Sequence, residues 1–160
     1  MTDLHAIFAA GRVRRWHTYS QLSWTDDYND GHQGRCARLA LAMFPDDRDL
    51  LAYMLTHDDG EYAVGDIARG PKRNAPGVVQ EWLAGKECVA RNMLWDELMP
   101  HDTHGHRSKL CDSLDAYMWM MHKAPQLAYL QEWRNHRAEI EALAITCNVA
   151  DMVLPVIGRG

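Results

Sequence analysis

The stretch LAYMLTHDDGEYAVGDI, residues 51–67, leads an apolar helical run into a group of polar residues. Apolar residues at helical spacing predict an amphipathic helix that starts near Asp46 and has His57 and Asp58 at its C-terminal end. Gly60 then permits a break or turn. The predicted buried face of this helix consists of Leu50, Leu51, Met54 and Leu55.

The same periodicity predicts helices on both sides of this stretch, and no segment shows the sustained alternation of a strand. Upstream, the predictions are a helix capped by Thr2 or Asp3 that runs to about Val13, a connection over 14–30 and a helix over 31–44. Downstream, residues 65–77 hold three glycines and two prolines and predict irregular structure. Further helices are expected over 78–98, 107–123 and from Pro125 into the 140s. The segment 78–98 is predicted to bury Val79, Trp82, Leu83, Val89, Met93 and Leu94.

Composition limits the classes of protein to consider. The chain has 160 residues, of which 47% are hydrophobic, enough for one compact domain over residues 1–160 without disulfide or metal staples. The net charge of −5 disfavours a nucleic-acid polymer as partner. Four widely spaced cysteines, no secretory leader and no apolar run long enough to span a bilayer predict a soluble, cytoplasmic protein with free thiols.

Polar residues lie at the ends or inner faces of otherwise apolar helices. They are His32, the pair His57 and Asp58, and Asp112 far downstream. Two imidazoles and two carboxylates suit one divalent cation such as Mn, Co, Fe, Zn or, less comfortably, Mg. A set of helix caps with solvated acids is the alternative interpretation of the same spacing.

The stretch over 51–67 resembles the signature of the HD-domain phosphohydrolase superfamily, in particular its small 5'-deoxynucleotidase branch. In that branch an apolar helix leads into His-Asp, then a Glu, then Gly-Asp. The resemblance implies that His57 and Asp58 bind the metal and that Glu61 is the catalytic glutamate. Asp66 matches the aspartate of Gly-Asp and is expected to support Glu61 or to bind the sugar side of the substrate.

Two flanking segments extend the resemblance. GHQGRCARLAL, residues 31–41, is similar to the family helix that opens with the first metal-binding histidine, here His32. KLCDSLDAYMW, residues 109–119, is similar to the segment with the last ligand, which selects Asp112, with Asp115 one turn further on as the fallback.

The resemblance also implies a substrate pocket. RRWHT, residues 14–18, is similar to the family Arg-Trp segment, so Arg15 and Trp16 are expected to contact substrate and Thr18 to face the base or sugar. IARGPKR, residues 67–73, makes Lys72 the expected phosphate contact, with Arg73 as a further cation. An arginine fork suits phosphate, and an indole can stack on a base.

The implied activity is metal-dependent hydrolysis of a small deoxynucleotide. A divalent metal polarises a phosphoryl group and lowers the pKa of bound water, and Glu61 would orient that water or protonate the leaving 5'-oxygen. We expect a triphosphohydrolase that prefers dATP and releases deoxynucleoside and triphosphate, as in similarly short phage enzymes, which would act in the host cytoplasm. Two alternatives are a 5'-deoxynucleotidase acting on dNMPs and a non-catalytic nucleotide-binding module. Family members form dimers or larger rings, so a homo-oligomer is expected.

Two further groups of residues, the histidines of residues 101–106 and the Met and Trp run of residues 117–121, are expected to have no catalytic or binding role. The segment PHDTHGHR has loop composition, so His101, His104 and His106 are expected to face solvent rather than to form a second metal site. The run YMWMM, residues 117–121, is expected to pack in the core or at a subunit interface. A purely structural helical oligomer would explain the Met and Trp content, but it gives no reason for acids at apolar helix ends.

Overall fold

Helices follow the apolar periodicity of the chain, and the all-α prediction is confirmed. The computed structural model describes residues 3–67, 69–95 and 104–158, and within these ranges it contains no β-strand beyond an isolated bridge between Arg14 and Tyr28. The α-helices are α1 (Leu4–Gly11), α2 (Asn29–Met43), α3 (Arg48–Met54), α4 (Arg69–Asn74), α5 (Gly77–Trp95), α6 (His106–Lys123), α7 (Gln131–Thr146) and α8 (Ala150–Ile157). Two 3₁₀ helices, Asp59–Ala63 and Pro125–Tyr129, connect them.

Local signals placed several helix ends correctly. Asp3 caps α1, because its carboxylate accepts hydrogen bonds from the backbone N–H groups of His5 and Ala6. Pro45 follows α2 closely, as the prediction of its end required. His32 falls in the first turns of α2, and α6 begins one residue before the predicted start.

Other boundaries differ from the predictions. Helix α3 ends at Met54, so His57 and Asp58 lie in turns beyond the helix rather than at its end. The segment expected to be irregular contains α4, because Pro71 falls in the first turn, where a missing N–H breaks no helical bond. Helix α8 was not predicted, and it contains Pro155. The end of the predicted segment 78–98 lies outside the described residues.

Contacts divide the chain into two compact units, and the expectation of one domain stays a prediction. The first unit comprises Met1–Gly34 and Leu55–Pro100. In it, α5 and α1 pack against the first 3₁₀ helix, and Leu22 and Leu83 are buried. The buried face predicted for α5 is wrong at four positions. Leu83 and Leu94 are buried, whereas Val79, Trp82, Val89 and Met93 are at least 40% exposed.

The second unit comprises Arg35–Met54 and His101–Gly160. Helix α6 packs against α3, α7 and the second 3₁₀ helix, and α7 packs against α8. Its core is apolar and includes Leu50, Met54, Leu110, Met120, Ile140 and Val153. The run 117–121 packs as expected at Tyr117 and Met120, whereas Met118 is 41% exposed.

Two further properties of the chain bear on its class. No helix in the described ranges combines the length and the hydropathy that a membrane span requires. All four cysteines are free thiols, with Cys36 and Cys111 buried as expected and Cys88 exposed.

Candidate metal and acid site

His57 and Asp58 lie in the first unit, in the turn between α3 and the first 3₁₀ helix. The preceding residue, Thr56, is buried, and so is Asp59, which follows the pair. His57 and Asp58 are therefore flanked on both sides by anchored positions. His32 on α2 reaches the same place from a fully buried position.

Three electron-rich atoms meet at this point. His32 Nε2 lies 3.2 Å from His57 Nε2 and 3.3 Å from Asp58 Oδ2, and His57 Nε2 lies 3.5 Å from the same carboxylate oxygen. Two neutral imidazole nitrogens and a carboxylate oxygen repel one another at such distances unless a proton or a metal ion lies between them. The arrangement is satisfied either by ring N–H groups that donate hydrogen bonds or by a metal ion that all three atoms bind.

The spacing of these atoms fits a metal ion. Imidazole nitrogen and carboxylate oxygen bind Zn²⁺ at about 2.0–2.2 Å, which places neighbouring ligand atoms roughly 2.8–3.1 Å apart in octahedral and roughly 3.3–3.6 Å apart in tetrahedral geometry. The observed separations of 3.2–3.5 Å are close to the tetrahedral range. Cys36, one turn beyond His32 on α2, is also buried. A group of histidine and cysteine donors that could hold a metal ion is thus present around His32 and His57.

Arg15 is tied to the same carboxylate. Its Nη1 donates to Asp58 Oδ2 at 2.7 Å, and its Nε lies 3.6 Å from Asp27 Oδ2. Burial by itself would raise the pKa of Asp58, but His57, His32 and the Arg15 guanidinium together hold that pKa well below its usual range. Asp58 is therefore a carboxylate at neutral pH, the form that a metal ion requires.

Trp16 adopts an uncommon backbone conformation beside Arg15. Its φ of +64° lies in the left-handed region, which bulky residues rarely occupy. Its backbone N–H donates to Asp66 Oδ2 at 2.7 Å, and its indole Nε1 donates to Asp27 Oδ2 at 3.1 Å. Asp66 and Asp27 therefore hold the loop that carries both predicted substrate contacts, and Asp66 has a positioning contact that its sequence context did not reveal.

Glu61 lies on the first 3₁₀ helix and is buried with 9% exposure. Its Oε2 accepts a hydrogen bond from Asn29 Nδ2, which also donates to the backbone carbonyl of Asp58. Burial and the nearby carboxylates of Asp58 and Asp66 raise the pKa of Glu61 well above its usual value. Glu61 is thus suited to carry a proton at a pH where an exposed glutamate has lost it.

Lys72, the expected phosphate contact, is paired within the protein. Its Nζ lies 2.8 Å and 3.0 Å from the two carboxylate oxygens of Glu87 on α5. Burial would lower the pKa of Lys72, yet the hydrogen bond and charge of Glu87, with Glu61 and Asp58 further off, raise it. Lys72 is therefore an ammonium ion, and the negative charges of Glu87, Glu61 and Asp58 stabilise that form. The side chain of Arg73 lies outside the described residues.

The remaining predicted residues are more dispersed. Thr18 lies in the loop after Trp16 and is exposed. Asp112 belongs to the second unit, where its carboxylate lies 3.3 Å from Lys109 Nζ, and its role as the last ligand stays a prediction. Asp115, the fallback, is buried and bound through both oxygens by Arg35 at 2.7 Å and 3.1 Å.

The predicted histidine loop is only partly as expected. His106 is exposed at the start of α6, as predicted. The side chain of His104 is only 11% exposed, and its Nδ1 lies 3.4 Å from Asp47 Oδ2. That contact explains why His104 does not face solvent. His101 lies outside the described residues.

Several residues that build the site were missed by the sequence analysis. They contact predicted residues or their neighbours, and they are Asp27, Asn29, Gln33, Glu87, Arg91 and Trp95. Asp27 and Asn29 belong to a run of six polar residues, TDDYND, in which nothing marks the inward-facing members. Arg91 interrupts the apolar face of a helix. An arginine at such a position was the one signal in the sequence that could have identified a buried polar residue.

Comparison with known proteins adds nothing to this geometry: no family model, curated protein or solved structure matches the chain.

Proposed function

We propose that this chain is a metal-dependent phosphohydrolase of the HD-domain type that acts on deoxynucleotides. The proposed reaction cleaves a dNTP, with dATP preferred, into deoxynucleoside and triphosphate. The observation that carries the proposal is the convergence of His32 Nε2, His57 Nε2 and Asp58 Oδ2 within 3.5 Å of one another. Two imidazole nitrogens and a carboxylate oxygen that converge in this way form a ligand set that suits a divalent metal ion.

A divalent metal ion at this site would supply Lewis-acid chemistry at a phosphoryl group and an activated water. The protein's part is to present the ligands in the correct charge state. Asp58 is held as a carboxylate by its neighbours, and each histidine directs its Nε2 toward the other. Asp112 is the proposed fourth ligand.

Glu61 is the proposed proton donor to the leaving 5'-oxygen. Its raised pKa supports this role over that of a base, because a buried, proton-bearing carboxyl group can protonate an alkoxide as it departs. Asn29 orients the carboxyl group through Oε2. The proposed ligands His57 and Asp58 and the proposed acid Glu61 lie within one short turn and its adjoining 3₁₀ helix, and His32 reaches the two ligands from α2.

Two cations are the proposed phosphate contacts, and each now binds an internal acid. Arg15 pairs with Asp58 and Lys72 with Glu87. Binding of a phosphate group would replace those carboxylates as partners, while a metal ion at Asp58 would compensate its charge. Trp16, whose indole is half-buried in the same loop, is the proposed stacking surface for the base.

The experiment is product analysis by chromatography after incubation with each dNTP and each dNMP in the presence of Co²⁺, Mn²⁺ or Mg²⁺. Deoxynucleoside with intact triphosphate, dATP being used fastest, is expected. The Asp58→Ala variant should lose at least 10²-fold in rate because it removes a metal ligand. Asp26→Asn is the matched control, since the side chain of this acid is 84% exposed and its carboxylate lies beside Arg14.

Each other result has a definite meaning. Release of phosphate from dNMPs alone would replace the proposal with a 5'-deoxynucleotidase. Binding of nucleotide without turnover under any metal would replace it with a non-catalytic module. Equal activity of Asp58→Ala and Asp26→Asn would remove the metal site from the mechanism.

A further inference from the structure

The turn that carries His57 and Asp58 is held on its first side by a buried arginine of α5. Arg91 donates from Nε to the backbone carbonyl of Thr56 at 3.1 Å and from Nη2 to Thr56 Oγ1 at 3.0 Å. Arg91 is 8% and Thr56 is 2% exposed. One guanidinium therefore fixes both the backbone and the side chain of the residue directly before His57.

The second side of the turn is held by a carboxylate that immediately follows Asp58. Asp59 Oδ2 accepts a hydrogen bond from Trp95 Nε1 at 2.7 Å, and its Oδ1 accepts one from Gln33 Nε2 at 2.8 Å. Asp59 is 3% exposed, so each oxygen is satisfied inside the protein. Gln33 directly follows His32 on α2. Its hydrogen bond to Asp59 therefore joins the segment that carries His32 to the turn that carries His57.

Arg91 and Trp95 lie one helical turn apart on α5. They donate hydrogen bonds to Thr56 and Asp59, the residues directly before and after the His57–Asp58 pair. The close approach is possible because Gly60 faces the backbone of Glu87, where a Cβ atom would overlap the Glu87 carbonyl. A buried guanidinium needs hydrogen-bond acceptors, and Thr56 provides two of them to Arg91.

We propose that Arg91 and Trp95 are positioning residues, which set the orientation of His57 and Asp58 for metal binding. This inference rests on the proposed function, since it assigns a purpose to the same site. Residues that orient metal ligands through hydrogen bonds typically change metal affinity by about 10–100-fold when they are replaced. Neither residue needs to touch metal or substrate for this effect.

The test uses Trp95→Phe, which removes the indole N–H but keeps an aromatic ring in the core. Trp82→Phe is the matched control, because Trp82 is on the same helix and 57% exposed. Arg91→Met and Arg91→Lys form a second pair, in which lysine can still donate to the Thr56 carbonyl. Two readouts apply: Co²⁺ affinity from the visible absorption of the bound ion, and imidazole proton–nitrogen NMR signals of the metal-free chain.

We expect Trp95→Phe to bind Co²⁺ about 10–100-fold more weakly and to shift the His57 imidazole signals without metal. Trp82→Phe should do neither, and Arg91→Lys should retain more affinity than Arg91→Met. Wild-type affinity and unshifted His57 signals in Trp95→Phe would overturn the positioning role. A wild-type chain that binds no Co²⁺ would overturn the proposed function alone, because the metal-free NMR signals still report on His57.

Discussion

At the scale of single residues, the Arg15 guanidinium and two imidazoles share one oxygen of Asp58. Arg15 donates to Oδ2 at 2.7 Å, and the two imidazole Nε2 atoms face the same oxygen from 3.3 Å and 3.5 Å. A metal ion bound there would weaken the hold on Arg15 by sharing the carboxylate charge. In the proposed mechanism, metal binding and release of Arg15 toward a phosphate group would thus be coupled through Asp58 Oδ2.

Glu61 gives a prediction for the dependence of turnover on pH. Its pKa is raised by burial and by the acids Asp58 and Asp66, so its protonated form persists above the usual range of glutamate. If it protonates the leaving group, kcat should fall as pH rises through that raised pKa. Glu61→Gln should lose about 10²–10⁴-fold in kcat and lose this alkaline decline, as measured by steady-state rates from pH 5 to 9.

The Gln variant is a close control for structure, because its amide oxygen can still accept the hydrogen bond from Asn29. Its melting temperature should stay near that of the wild type. A variant with wild-type kcat and an unchanged pH profile would show that Glu61 transfers no proton.

At the scale of elements, α5 shows how far periodicity reaches. Its start was predicted to within one residue, yet it carries apolar residues on two sides, and only one of these sides is buried. Leu83 and Leu94 share the inward side with Arg91, whereas Trp82 and Met93 face outward. Composition alone would place the apolar residues inside and the arginine outside. The opposite holds here, because the contacts of Arg91 to Thr56 decided which side of α5 faces inward.

The packing of α5 on the first 3₁₀ helix gives a stability prediction at Gly60. A Cβ atom there would overlap the carbonyl of Glu87, and backbone cannot move aside cheaply. Gly60→Ala should therefore destabilise the fold by about 2–3 kcal/mol or more, as measured by urea unfolding. The sequence had assigned Gly60 only to a turn.

Gly85, on the same helix, is the control position. A Cβ atom there meets nothing within 4 Å. Gly85→Ala should stabilise the protein by about 0.5–1 kcal/mol, because alanine loses less backbone entropy in a helix. A Gly60→Ala variant as stable as Gly85→Ala would show that α5 and the 3₁₀ helix do not pack this closely.

At the scale of the whole molecule, metal binding should appear as a gain in stability. An ion that binds only the folded chain stabilises it by about 2.7 kcal/mol at a concentration 100 times its Kd. Co²⁺ or Mn²⁺ should therefore raise the melting temperature of the wild type, as measured by calorimetry. Asp26→Asn should show the same rise, and His57→Ala should show little or none.

The same measurement decides the fourth ligand. Asp112→Ala should lose most of the metal-dependent rise if Asp112 completes the site. A full rise in Asp112→Ala, with no rise in His57→Ala, would leave the ion to His32, His57 and Asp58 and would remove Asp112 from the site.

The sequence by itself determined the helical class and most helix positions, because these depend on local periodicity. A short motif selected His32, His57 and Asp58, and the fold brings their side chains within 3.5 Å of one another. It also selected Glu61, whose burial and raised pKa are properties of the folded chain. Short-range signals suffice where a residue's neighbours along the chain determine its conformation.

Only the tertiary structure decided which polar residues support that motif. Asp27, Asn29, Arg91 and Trp95 act across separations of 11–36 residues, and only Arg91, which interrupts an apolar helix face, has a neighbourhood that indicates an inward direction. It also decided that Lys72 binds Glu87 and that four of the six apolar residues predicted to be buried on α5 remain exposed. The physical reason is that burial and ion pairing depend on which segments meet in space, whereas periodicity reports only on one segment at a time.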